Sequence, residues 1–99
     1  MKIFVTGGAG LIGAQISSAF ASAGAQTIII DIQENLGLEL SNKLNKNGYR
    51  TFFEKIDTSN LEILDERIED LNIKYEGIDI WINSLPDRIF AGCRRIKMG

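Results

Sequence analysis

The sequence predicts an α/β fold, a parallel sheet layered between helices, and three observations carry that expectation. Short apolar runs alternate with segments of helical period along the 99 residues. The apolar runs are nearly continuous rather than alternating, as in strands buried on both faces. A glycine-rich turn, TGGAGLIG at residues 6–13, joins the first run to the first helical segment. Strand and helix in alternation imply right-handed crossovers and therefore parallel strands.

Residues 2–6 form the first expected strand. From Leu11 the period becomes helical: Ile12, Ile16, Ala19, Phe20 and Ala23 recur at spacings of three and four, and Gly24 stands where a C-terminal cap belongs. Residues 27–31 are the second strand, with Ile28, Ile29 and Ile30 at its β-branched centre. Residues 34–47 predict the second helix through the stripe Leu36, Leu40 and Leu44, with Gly48 as its stop. Gly37 is expected to weaken that helix by about 1 kcal/mol relative to alanine.

Residues 50–56 are the third strand, centred on Phe52 and Phe53. Ser59 and Glu62 have capping-box spacing, so the third helix is expected to start there and to bury Leu61, Leu64, Ile68 and Leu71. Its other face, with Glu62, Asp65, Glu66, Arg67, Glu69 and Asp70, reads as a solvated surface. Residues 78–83, with Trp81 in the middle, are the fourth strand. After Pro86 the pattern is lost. Residues 87–99 carry Arg88, Arg94, Arg95 and Lys97 without an amphipathic period and read as an irregular basic tail on a domain formed by residues 1–86.

Composition narrows the class. Hydrophobic content of 44% and charged content of 24% describe one ordered domain with one core. A net charge of −2 argues against a protein that grips nucleic acid phosphates. The apolar run after Lys2 stops at Thr6, too short for a signal segment, and none approaches the ~18 residues of a membrane span. Cys93 is the single cysteine and histidine is absent, which excludes an internal disulfide and a Cys/His zinc site. A cytoplasmic protein is the resulting expectation.

Gly8, Gly10 and Gly13 satisfy the spacing G-x-G-x-x-G of a dinucleotide-binding turn. One glycine permits the sharp turn, the next lets backbone approach a pyrophosphate, and the third lets helix and strand pack closely. The phosphates would sit on the open N–H groups at the start of the following helix. Asp31 ends the second strand 18 residues after Gly13, where a carboxylate can accept hydrogen bonds from the adenosine ribose. It would repel a 2′-phosphate, so NAD is favoured over NADP. Asp57 closes the third strand and suits either a cap for the third helix or an adenine contact, with nothing to separate the two. Asn83 ends the fourth strand at the same carboxyl edge, where open parallel sheets bind ligands.

With these residues in place the chain resembles the N-terminal half of a short-chain dehydrogenase/reductase. The matching elements are TGGAGLIG, Asp31, the Asp57–Thr58 pair, and Asn83 with Ser84. Gly7, Gly10 and Gly13 have the spacing of the family's extended members, and Leu11 stands where simpler members have glycine. The family's fourth-strand motif begins Asn-Asn-Ala-Gly, whereas here it reads Asn83-Ser84-Leu85-Pro86. The mixture is similar to reductases of surface-sugar and flagellin modification. The resemblance implies a Rossmann-type three-layer sheet of strand order 3-2-1-4, truncated after the fourth strand. It also implies NAD contacts by Gly7, Gly8, Gly10, Leu11, Ile12, Gly13, Asp31, Ile32, Asp57, Thr58, Asn83 and Ser84.

The family's Tyr-x-x-x-Lys pair has no counterpart: Phe53 stands four residues after Tyr49, and Asp79 four after Tyr75. No catalytic residue is therefore assigned. The expectation is a nucleotide-binding half cut short by a stop, a frameshift or gene decay, unable to transfer hydride alone. The alternatives are a non-catalytic binding module and a subunit that complements a second chain. An open fourth-strand edge, with one face covered by a single helix, predicts marginal stability or self-association.

Overall fold

The computed structural model describes residues 1–85 and 88–92, and its elements follow the expected alternation. β1 (Lys2–Thr6), α1 (Leu11–Ser22), β2 (Gln26–Asp31), α2 (Glu34–Lys46), β3 (Thr51–Lys55), α3 (Leu61–Lys74) and β4 (Ile80–Leu85) are followed by β5 (Arg88–Gly92). The parallel strands stand in the order β3-β2-β1-β4, with β1 pairing β2 in the register Val5 to Ile29 and β4 in the register Thr6 to Asn83. This is the Rossmann-type arrangement, and the two crossovers on either side of β1 open a crevice above its carboxyl end.

β5 departs from the expected irregular tail. It pairs antiparallel with β4, Ser84 opposite Ile89, and so covers the edge expected to be bare. The remainder of the expected tail, residues 93–99, and residues 86–87 lie outside the described residues.

Both sheet faces are covered. On one, Phe4, Ile28, Ile30 and Trp81 pack against Leu64, Ile68 and Leu71 of α3, all buried. On the other, Ile3, Val5 and Ile82 meet Ile16 and Phe20 of α1, and Ile29 meets Ala21 and Leu44. Tyr75 closes the α3 side, edge-on to Phe4 at a centroid distance of 6.0 Å, while its hydroxyl donates to Glu54 Oε2 at 2.5 Å. Burial, and then the adjoining carboxylate, push the Tyr75 hydroxyl pKa upward.

Hydrophobic period placed the inner faces of two helices only in part: Ile16, Phe20, Leu40 and Leu44 pack on the sheet as expected, but other members of each stripe do not. α1 buries Gly13, Ser17 and Ala21 while Ile12 is 52% exposed and Ala19 and Ala23 face solvent. α2 buries Gly37, Ser41 and Leu44, and Leu36 turns outward. Small residues at i, i+4 and i+8 in α1, and at i and i+4 in α2, let these helices lie close to the sheet, with larger side chains flanking the contact. Ser41 and Asn45 then bond Thr51 directly. Asn45 accepts from the Thr51 N–H at 2.9 Å and donates to its carbonyl at 3.2 Å, tying the start of β3 to α2.

Gly37 is part of this close approach, since a Cβ there would fall 2.0 Å from the Phe53 ring. Overpacking of about 1–3 kcal/mol outweighs the ~1 kcal/mol gained in helix propensity. Gly37→Ala is therefore expected to lower the urea midpoint, the reverse of what propensity alone implies. A raised midpoint would contradict the tight α2–β3 contact.

α3 also starts one residue later than the capping box implied. Asn60, not Ser59, is the N-cap, and its side-chain oxygen accepts from the N–H groups of Glu62 and Ile63. Ser59 instead donates its N–H to Asp57 Oδ1 at 3.0 Å. The Leu61 side chain is outside the described residues.

Candidate functional site

A cleft of about 370 Å3 opens at the carboxyl edge of the sheet, lined by the glycine turn, the start of α1, the end of β2 and the loop after β3. Of the expected contacts, Gly7, Gly10, Leu11, Ile12, Gly13, Asp31, Ile32, Thr58 and Ser84 line it. Gly8, Asp57 and Asn83 are not among the lining residues. Gln33 lines the cleft and was missed. Its signal was positional: it lies two residues beyond Asp31 on the same edge.

The turn owes its shape to close backbone approach. Gly7 has φ +70°, a conformation open to glycine at little steric cost. The N–H groups of Gly7 and Gly8 both donate to Ile30 O, at 2.8 and 3.2 Å, which anchors the turn to β2. Gly13 faces the Gly7 carbonyl so closely that a Cβ would lie 1.9 Å from that oxygen. α1 carries neither a side-chain cap nor an acid in its first turn. Its first intrahelical acceptor, Gly10 O, is taken by Ala14 N–H at 2.8 Å. Helix geometry leaves the N–H groups of Leu11, Ile12 and Gly13 beyond the reach of any helix carbonyl, at the positive end of the helix dipole.

Asp31 is 4% exposed and fixes the other wall. Its Oδ2 accepts from Ala9 N–H at 3.1 Å and its Oδ1 from Gln33 N–H at 3.0 Å. A carboxylate has about four acceptor positions, so each oxygen retains capacity for a further donor from the cleft. Leu11 and Ile12, 85% and 52% exposed, and Ile32, 49% exposed, give the same space an apolar rim.

Asp57 is fully exposed and serves the turn before α3. The Ser59 N–H, and then the Ser59 hydroxyl, hold its carboxyl below the usual carboxylate range. Asn83 is fully buried below the cleft, where its Oδ1 accepts from the Thr6 hydroxyl at 2.9 Å. That hydroxyl in turn accepts from the Trp81 indole N–H at 3.3 Å. Among the described residues, no group of three or more His, Cys, Asp or Glu could hold a metal. No helix among them is long and apolar enough to cross a membrane.

A sheet of this order with a glycine cradle and an acid at its carboxyl edge defines a Rossmann-type dinucleotide fold. The model of the short chain dehydrogenase family matches residues 1–85, and the chain belongs to that family. It is 35% identical over 80 residues to (+)-borneol dehydrogenase 1 of Salvia officinalis and 31% identical over 80 residues to an uncharacterized oxidoreductase of Thermotoga maritima. Each alignment covers 81% of this chain, against 30% and 31% of the respective relatives, so the chain spans about a third of their length. Among solved structures it is similar to gox2181, with a TM-score of 0.74 and 28% identity over 83% of this chain and 32% of the other. Members of the family use NAD(P) nucleotides as cofactors, and the donor set described above fits such a group.

Proposed function

We propose that this chain binds NAD in the carboxyl-edge cleft and, on its own, holds the nucleotide without transferring hydride. The observation that carries the reading is the meeting of Gly7, Gly13 and the open first turn of α1 with the Asp31 carboxylate in one cleft. The pyrophosphate would lie on the N–H groups of Leu11, Ile12 and Gly13, where a helix start favours negative charge. The ribose hydroxyls would donate to Asp31, and the apolar rim of Ile12 and Ile32 would cover flat ring surface. When bound, the nicotinamide supplies or accepts a hydride. What these residues do is hold the nucleotide, orient it and repel a 2′-phosphate from the Asp31 side.

The second half of the proposal is supported by the side chains present. A family member needs a tyrosine with a lysine four residues on to exchange the substrate's proton, and neither tyrosine here has one. Tyr75 is committed to Glu54 on the α3 face, and its raised pKa opposes the role of a base. Calorimetric titration of the purified chain with NAD and NADP tests binding. NAD is expected to bind at least tenfold more tightly, and a folded sample that takes up neither contradicts the reading. Any turnover of reduced nucleotide by the chain alone would contradict its second half.

A further inference from the structure

We infer that Ser84 is a positioning residue that locks the Gly7–Gly8 peptide into its anion-accepting orientation. This rests on the nucleotide reading above and adds a role at the same site. The expected role for Ser84 was direct nucleotide contact; Ser84 does line the cleft, and its hydroxyl is bonded to the glycine turn. Ser84 is 8% exposed, and its Oγ donates to Thr6 O at 2.8 Å and to Gly7 O at 3.2 Å. One hydroxyl proton shared between two successive carbonyls makes this a bridge from β4 to the turn that leaves β1. The crowding is mutual: a Cβ on Gly13 would lie 2.7 Å from the Ser84 oxygen as well as 1.9 Å from Gly7 O.

The consequence is electrostatic. The Gly7–Gly8 peptide lies between two glycines, so its rotation meets little steric resistance. Rotated, it would turn the Gly7 carbonyl, a negative dipole end, toward the space where phosphate binds. Three bonds oppose that rotation. Gly8 N–H donates to Ile30 O at 3.2 Å, while Gly7 O accepts from Gly10 N–H at 3.1 Å and from Ser84 Oγ. The first two are backbone bonds, one from the turn to β2 and one within the turn. Ser84 supplies the one side-chain bond, and it does so from β4, held in place by the parallel register of Thr6 with Asn83.

The test compares wild type, Ser84→Ala and Ser84→Thr. In nucleotide-free protein, Ser84→Ala is expected to speed hydrogen exchange of the Gly8 and Gly10 amides about fivefold, the effect of one lost hydrogen bond. The β1 amides of Phe4 and Val5, which exchange through global unfolding, should change less. Affinity for NAD and NADP should fall by the same factor of about five, because the turn meets the pyrophosphate common to both. Ser84→Thr keeps the hydroxyl and should restore both readouts. Unchanged turn exchange in Ser84→Ala overturns the proposal, as does an increase shared equally by Phe4 and Val5. If the wild type takes up neither nucleotide, the nucleotide reading fails and the ligand role of Ser84 falls with it. The exchange measurement still reports separately whether the lock exists.

Discussion

Gly13→Ala is expected to abolish measurable nucleotide binding and to destabilise the domain by about 1–3 kcal/mol. The added Cβ would meet backbone, 1.9 Å from Gly7 O and 2.7 Å from Gly7 C, not the end of a flexible side chain that could swing aside. The strain can be relieved in two ways. α1 can lift from β1, which loosens the Ile16 and Phe20 packing on Ile3, Val5 and Ile82, or the turn can be pushed outward into the cleft. Either movement separates the Leu11–Gly13 amides from the Gly7 backbone and destroys the cradle. Gly10→Ala is the informative contrast. Its Cβ would lie 3.4 Å from Gly7 O, an ordinary contact, so the fold should survive the change. Urea midpoints and calorimetric titration of both variants check the pair. A Gly13→Ala protein with wild-type midpoint and NAD affinity would refute the close approach.

Asp31→Ala should lower NAD affinity by about 10- to 100-fold and remove the preference for NAD over NADP. Hydrogen bonds to a charged acceptor are worth about 1.5–3 kcal/mol, and at 1.4 kcal/mol per tenfold the loss of the ribose contacts reaches that range. The carboxylate also holds Ala9 N–H and Gln33 N–H, so its removal loosens the turn and the entry to α2 together. Asp31→Asn separates these effects. It keeps the shape and one acceptor while removing the charge, so NADP should be the nucleotide that gains relative to NAD. Titration of both variants with both nucleotides decides it, and an unchanged NAD:NADP ratio would exclude Asp31 as the discriminating group.

What the sequence made legible was whatever depended on short spacing. The glycine triplet, the Asp31 position and the strand–helix alternation are local; the structure follows the alternation and brings Gly10, Gly13 and Asp31 to one cleft. The inner helix faces were legible only in part: Ile16, Phe20, Leu40 and Leu44 pack as their period implied, but hydrophobic period follows side-chain size and passes over small residues. Here Gly13, Ser17 and Ala21 in α1, and Gly37 and Ser41 in α2, make the contact through their smallness. The role of Ser84 depends on β4 lying beside β1 in one particular register, a fact no neighbouring residue announces. Asp57 suited two roles equally in sequence, a helix cap or an adenine contact; Asn60 takes the cap, and Asp57 instead accepts from the Ser59 N–H in the turn before α3. β5 was missed because a strand completed by pairing with its predecessor needs no apolar period of its own.

The central claim is that the cleft above β1 receives the pyrophosphate of NAD through the first turn of α1. Amide chemical shifts of the isotope-labelled chain, followed during titration with NAD, test it most directly. The largest changes are expected at Leu11, Ile12 and Gly13, with smaller ones at Ala9, Gln33 and Thr58 and none along α3. Saturable shifts confined to α3 or β3, with the α1 amides unmoved, would contradict it.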